Sequence, residues 1–303
     1  MYELYQLYRT DSRTGETEEV DLQTVSIMHR DVLDGYRKRR EAKQQAEYIA
    51  KKTDNPFVWE IYEISKLRWP DISAANITRM MYLSTYLTHE GYLADVRHHK
   101  MKKDQLPKIL GCSERQFFKF WKEMTDAGVF IEKEDGIYSN TSKLFKGSLG
   151  GPQKVAELAE SGQYAMRLYV NGVRQLYKTA TETSLKTLSY VFQILPYVNR
   201  EFNIVCHNPL ETDLKLVKPM TLGEFCETVG YDPKNAYRMS KQLLDPCFMV
   251  DGVEQGAVRY VVDKSLDRRT FSIFINPNVY YAGFNSKQIE ILGAFRGAAN
   301  KDE

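Results

Sequence analysis

The sequence predicts an α+β fold, mainly α, in which one helix–helix–hairpin module occurs twice in tandem behind an N-terminal extension of a hairpin and a helix. Three observations predict it: an internal repeat of apolar patterns, a capped helix after a glycine in each copy, and a strand-turn-strand pattern after each capped helix. In the first copy the helical pattern over 77–87 is followed by a short extended piece at Tyr92-Leu93, then by Gln105-Leu106-Pro107-Lys108-Ile109-Leu110-Gly111. In the second, the pattern over 185–195 is followed by Phe202-Asn203-Ile204-Val205, then by the stretch 221–230. The order of signals is the same.

After each glycine the chain starts a helix with good capping chemistry. The Ser113 hydroxyl is placed to accept a free backbone N–H of a helix over 114–127, and Asp232 does the same for 233–244, where Pro233 suits a first position that needs no N–H. Each copy therefore reads as a helix-turn-helix. In copy one Val129-Phe130-Ile131 and Ile137-Tyr138 flank the hairpin dipeptide Asp135-Gly136. In copy two β-rich runs at 257–262 and 270–275 are separated by a polar tip at 263–269. A hairpin behind a helix-turn-helix makes a winged helix, and both halves have that form. The pattern over 58–62 answers the one over 166–170 more loosely.

The remaining segments complete the organisation. Residues 1–25 alternate apolar and polar around Ser12-Arg13-Thr14-Gly15, which suits a small hairpin, and 30–52 reads as a charged helix. The turn-rich stretch 147–152 is the expected linker. The expected domains are an extension over 1–55, a winged helix over 56–150, a second over 151–285, and a C-terminal helix or tail over 286–303.

Composition bounds the function classes. A chain of 303 residues suggests about two domains of ordinary size, and 43% hydrophobic with 27% charged residues excludes disorder over its whole length. No apolar run approaches the roughly 18 residues of a membrane helix, and the N-terminus lacks the pattern of a signal peptide, so the expected location is the cytoplasm. Four scattered cysteines without a CxxC pair argue against a zinc knuckle and a disulfide framework. The net charge is only +2, yet the window 97–122 carries eight Lys/Arg against two acids.

That uneven charge falls where a recognition helix needs it, since base edges and phosphates are read by long polar donors. Aligned on Ser113 and Asp232, Arg115 falls opposite Lys234, Gln116 opposite Asn235, Lys119 opposite Arg238 and Lys122 opposite Lys241. The bland reading of any one such helix is a solvated face; two copies with matched donors favour DNA. The second wing adds Arg259, Lys264, Arg268 and Arg269 for phosphate or minor-groove contact. The first wing tip, Glu132-Lys133-Glu134-Asp135, is expected to repel phosphate, making the copies unequal binders. A secondary basic patch, Arg37-Lys38-Arg39-Arg40, suits either a backbone-tracking helix or a solvated one.

Enzymatic chemistry is not expected. His98-His99 are adjacent and would face opposite sides of a strand, not one metal; no GxxxxGK[ST] loop occurs; and Cys206-His207 reads as a packed thiol beside a loop histidine. The 20 tyrosines, Tyr280-Tyr281 among them, do not indicate a nucleophile. Neither a cofactor nor a metal is expected.

The segment 188–283 carries a family likeness. Leu195-Pro196-Tyr197, Cys206-His207-Asn208-Pro209-Leu210, Pro219-Met220-Thr221 and the closing Phe274-Ile275-Asn276-Pro277-Asn278-Val279-Tyr280-Tyr281-Ala282-Gly283 resemble winged-helix proteins of phages and plasmids from low-GC Gram-positive bacteria. These include the RepL-like replication initiators. The resemblance implies duplex-DNA binding at an origin or operator in the cytoplasm of a bacterial host cell, with host replication or transcription proteins as further partners, no membrane role and no active site. The expected function is thus sequence-specific DNA binding in transcriptional regulation or replication initiation. The rival is a winged-helix scaffold that binds proteins and has weak or no affinity for DNA.

Overall fold

The computed structural model describes residues 7–10, 17–20, 56–149, 151–250, 252–263, 270–283 and 291. The chain separates into two compact units, Met1–Asp54 and Asn55–Glu303. In the first, β1 (Leu7–Thr10) and β2 (Thr17–Val20) pair antiparallel with Leu7 opposite Val20. The helix expected over 30–52, with its basic residues, lies outside the described residues, as does nearly all of the tail expected over 286–303.

The second unit is a mixed α+β structure with small antiparallel sheets. Its central pairing joins β3 (Phe57–Glu63) to β7 (Gln163–Tyr169) along their full length, Phe57 opposite Tyr169 and Glu63 opposite Gln163. On the outer sides β6 (Leu144–Phe145) pairs with β3 and β12 (Tyr280–Tyr281) with β7. The two stretches that loosely repeat in the sequence are therefore partners in one sheet.

The helices that follow the repeated apolar patterns also meet one another. α1 (Ala74–Ser84) packs on α6 (Glu182–Gln193), and the Thr78 hydroxyl donates to the Leu185 carbonyl at 2.8 Å. Equivalent elements in contact are the arrangement of a two-fold dimer interface, here within one chain. α1 stops three residues short of the expected 87: the Ser84 and Thr85 hydroxyls turn back onto the Met81 and Tyr82 carbonyls at 2.7 and 2.6 Å, the side-chain competition that bends or ends helices.

Beyond these helices the backbone hydrogen bonds of the two halves match. Leu93 N–H donates to the Ile137 carbonyl at 2.8 Å, and Met101 N–H to the Leu93 carbonyl at 2.9 Å. Val205 N–H donates to the Ile273 carbonyl at 2.9 Å, and Met220 N–H to the Val205 carbonyl at 3.0 Å. After Met101 come a 3₁₀ turn, α2 (Leu106–Leu110), α3 (Glu114–Asp126) and a hairpin of β4 (Phe130–Lys133) and β5 (Gly136–Ser139). After Met220 come α7 (Leu222–Thr228), a 3₁₀ turn (Pro233–Asn235), α8 (Ala236–Leu244) and, further on, a hairpin of β10 (Val258–Asp263) and β11 (Thr270–Ile275). At Gly111, which closes α2 in the left-handed region (φ 57°), glycine relieves the strain a Cβ would bring.

Three features depart from expectation. A further hairpin, β8 (Cys247–Val250) with β9 (Val253–Gly256), sits between α8 and β10; its Asp251-Gly252 dipeptide was the signal. The linker expected over 147–152 already contains the start of α4 (Gly151–Glu160), because Pro152 is compatible with a first helical turn. α5 (Val170–Thr179) follows β7 directly, and among the described residues α4 and α5 have no equivalent in the first half. The apolar core runs through both halves, from Val58, Met80, Phe120 and Phe130 to Leu188, Phe192, Phe225 and Ile275. Residue 150, the expected boundary, does not divide it.

Candidate nucleic-acid interface

α3 is amphipathic for a simple reason. Phe117, Phe120, Trp121 and Met124 recur at helical spacing and are buried, which leaves Arg115, Phe118, Lys119 and Lys122 on the outer face. The helix starts with a reciprocal cap: Ser113 Oγ accepts from Gln116 N–H at 3.3 Å and Gln116 Oε1 accepts from Ser113 N–H at 3.0 Å. Glu123 fastens α3 to the start of α1, accepting from Ser73 N–H and Oγ at 2.9 Å each and from Asn76 Nδ2 at 2.8 Å.

This cap changes what Gln116 can do. Its oxygen is committed to Ser113, and its Nε2 donates to Glu182 Oε1 at 3.2 Å. Glu182 also holds the buried Arg79 at 2.6 Å. Lys119 lies 3.8 Å from Glu123 and remains exposed. Arg115 and Lys122 point outward with no ion-pair partner among the described residues.

In the second half Asp232 accepts from Lys234 N–H at 3.0 Å. That early bond and Pro233 tighten the first turn, so the expected helix 233–244 divides into the 3₁₀ turn and α8. Met239 and Leu243 are buried, while Lys234, Asn235, Tyr237, Arg238 and Lys241 are exposed. Asn235 Nδ2 leans back on Asp232 at 3.3 Å, and Lys241 Nζ lies 4.6 Å over the Tyr237 ring. Arg259 is half-buried on β10 opposite Phe274. Lys264, Arg268 and Arg269 lie outside the described residues.

The β4–β5 hairpin is less acidic to an approaching anion than its sequence suggests. Lys103 pairs with Glu132 at 3.1 Å, and Lys100 pairs with Asp135 while donating to the Tyr138 hydroxyl at 2.7 Å. Lys133 stands 4.1 Å over the Tyr138 ring. These contacts raise the Lys100 pKa and lower that of Asp135, through the hydrogen bonds they share. The cost is that two of the lysines in the basic window are spent on this hairpin.

Of the residues weighed as catalytic, the two tyrosines and Cys206 are packed, while His98, His99 and His207 are exposed. Tyr280 and Tyr281 are fully buried, Tyr280 donating to the Val191 carbonyl at 2.9 Å, and burial raises its pKa well above the ordinary value. Burial pushes the Cys206 thiol up to about 11, and His207 faces Glu224 at 3.3 Å. The motif that carries the family likeness is structural too: Asn276 Nδ2 donates to Gln255 Oε1 and the Gly256 carbonyl at 3.0 Å, and Asn276 Oδ1 accepts from Asn278 N–H at 2.9 Å. No group of three His, Cys, Asp or Glu among the described residues is placed to hold a metal ion, and no helix among them is long and apolar enough to cross a membrane.

One pair of residues escaped the sequence reading. Phe118 and Tyr237 are large, exposed, and each five positions after its cap, a signal visible once the caps are aligned. No protein-family model, no curated protein and no solved structure matches the chain.

Proposed function

We propose that the protein binds duplex DNA sequence-specifically through tandem winged helices, with α3 and α8 as the recognition helices. One observation carries the reading: exposed cations stand at matched positions in both halves, Arg115, Lys119 and Lys122 on α3, and Lys234 on the 3₁₀ turn with Arg238 and Lys241 on α8. The matched hydrogen bonds around Leu93 and Val205 support treating these helices as counterparts. Cations spaced i, i+4, i+7 line one helical face, and a helix presenting them fits the major groove, whose edges and phosphates bind long donors. Two such faces in one chain suit two neighbouring half-sites. The setting is a phage or plasmid, and the role is transcriptional regulation or replication initiation. The protein acts by binding, without catalysis.

The scaffold reading retains one observation in its favour. Gln116, a base-reading candidate, is held by Ser113 and Glu182, so the start of α3 is partly closed to a groove.

Fluorescence anisotropy against random duplex DNA across a salt series, followed by selection from a random library, tests the proposal. About six phosphate contacts cost roughly a thousandfold in affinity between 50 and 200 mM salt. A steep salt slope with an enriched two-part motif is the expected result. Binding that is absent, or insensitive to charge reversal at Arg115, Lys119, Lys234 and Arg238, moves the assignment to the scaffold.

A further inference from the structure

The outer faces of α3 and α8 share more than charge. On α3 the residues at i, i+3, i+4 and i+7 are Arg115, Phe118, Lys119 and Lys122; in the second half they are Lys234, Tyr237, Arg238 and Lys241. Both run cation, aromatic, cation, cation. On an α-helix these four positions share one side; in the second half Lys234 stands on the 3₁₀ turn just ahead of α8, and Lys241 Nζ lies 4.6 Å over the Tyr237 ring. Phe118 is 64% exposed and Tyr237 73% exposed, although each helix buries other apolar residues, among them Phe120 and Met124 on α3 and Met239 and Leu243 on α8. Phe117 and Phe118 illustrate the choice: their rings are 6.3 Å apart, yet Phe117 enters the core and Phe118 does not.

An aromatic ring held in water forgoes the stabilisation of burial. A cation-rich face makes a poor seat for an apolar protein partner and a good one for a polyanion. Within the major groove of duplex DNA the one apolar group on a base edge is the C5-methyl of thymine. The charge selects the polyanion and the ring selects the methyl.

We propose that Phe118 and Tyr237 are specificity determinants that read thymine. Each ring packs against a thymine C5-methyl in its half-site, while the flanking cations hold the phosphates. The inference rests on the duplex-binding reading and names what each half-site contains. Phe118 can only pack; Tyr237 keeps a hydroxyl, and the inference assigns the contact to its ring.

The experiment uses the full chain and the duplex enriched by selection. Each thymine is replaced in turn by deoxyuridine, which lacks only the methyl, and affinity is measured for the native protein, Phe118→Ala, Tyr237→Ala and Tyr237→Phe. The native protein is expected to lose about fourfold at one or two positions per half-site, the value of one buried methyl group. Phe118→Ala should abolish that loss in one half-site and Tyr237→Ala in the other, whereas Tyr237→Phe should keep it. The exposed positions make these variants safe for folding, which melting curves verify. An unchanged deoxyuridine penalty in the alanine variants overturns the inference while leaving duplex binding intact. So does tighter binding to single strands that depends on these rings, or a change of oligomeric state in either variant. No DNA affinity in the native protein overturns both the inference and the reading beneath it.

Discussion

The two helix–hairpin halves share a backbone plan and spend their side chains differently. In the first half two of the lysines ahead of α2 are drawn to the β4–β5 hairpin, Lys100 to Asp135 and Lys103 to Glu132, and Gln116 is bound at the helix start. In the second, Lys234 and Arg238 are exposed with no ion-pair partner among the described residues. A repeat therefore preserves where a helix points more readily than what its face is free to touch. The second face is the better candidate for base contact, and the first for positioning.

The largest expected effect concerns a position where the halves differ inside the shared sheet. Glu60 on β3, matched in the repeat by Leu168 on β7, is fully buried, takes a hydrogen bond from Trp69 Nε1 at 2.9 Å and has its pKa raised by burial to about 7. The folded state therefore holds this proton more tightly than the unfolded chain, whose carboxyl titrates near 4.5. This contribution is fully present below about pH 4.5 and is lost as pH rises through about 7, amounting to about 3 kcal/mol. Glu60→Gln should flatten that part of the profile and raise stability at pH 8. Urea unfolding of both proteins at pH 5 and pH 8 checks it; parallel profiles would refute it.

Charge reversal sharpens the comparison most directly. Lys234→Glu with Arg238→Glu should weaken duplex binding about a hundredfold, and Arg115→Glu with Lys119→Glu about tenfold. Anisotropy at a fixed salt concentration reads both. Equal losses would break the distinction between a base-reading and a positioning face.

Glu182 joins the halves, holding Arg79 of α1 and Gln116 of α3 from the start of α6. Arg79 is only 4% exposed, so Glu182→Ala leaves a buried cation without its acid and should cost about 2 kcal/mol, toward the lower side for buried pairs because Glu182 itself is half-exposed. Thermal melting measures that loss. The same variant releases the Gln116 Nε2, while its oxygen stays with Ser113, and removes a negative charge beside α3, so DNA affinity should rise if Glu182 is what restrains the first face.

The smallest effect isolates the hairpin that the first half lacks. Gln175 on α5 clasps β8 both ways, its Nε2 donating to the Met249 carbonyl at 3.0 Å and its Oε1 accepting from Met249 N–H at 2.8 Å. Gln175→Ala should cost about 1 kcal/mol and raise amide exchange in 247–256 alone. Exchange that rises throughout the second half would show that this hairpin is part of the core and not an addition to it.

Much of this was legible in the sequence because it depends on residues close together in the chain. The caps at Ser113 and Asp232, the buried stripe 117, 120, 121 and 124, and the Asp-Gly turns follow from side-chain size, local hydrogen bonding and helical period. The α+β class and the repeat followed from the same signals. The β8–β9 hairpin carried a local signal too, at Asp251-Gly252.

What the tertiary structure alone decided involves partners distant in sequence. The pairing of β3 with β7, the packing of α1 on α6 and the core that runs across residue 150 arise because each half has an apolar face that its own elements leave uncovered. The fates of Gln116 and of the β4–β5 hairpin were likewise set by Glu182, Lys100 and Lys103. A charged side chain's freedom depends on which opposite charges the fold delivers within a few ångströms, and electrostatic and burial energies follow that distance in space. Sequence separation does not enter them.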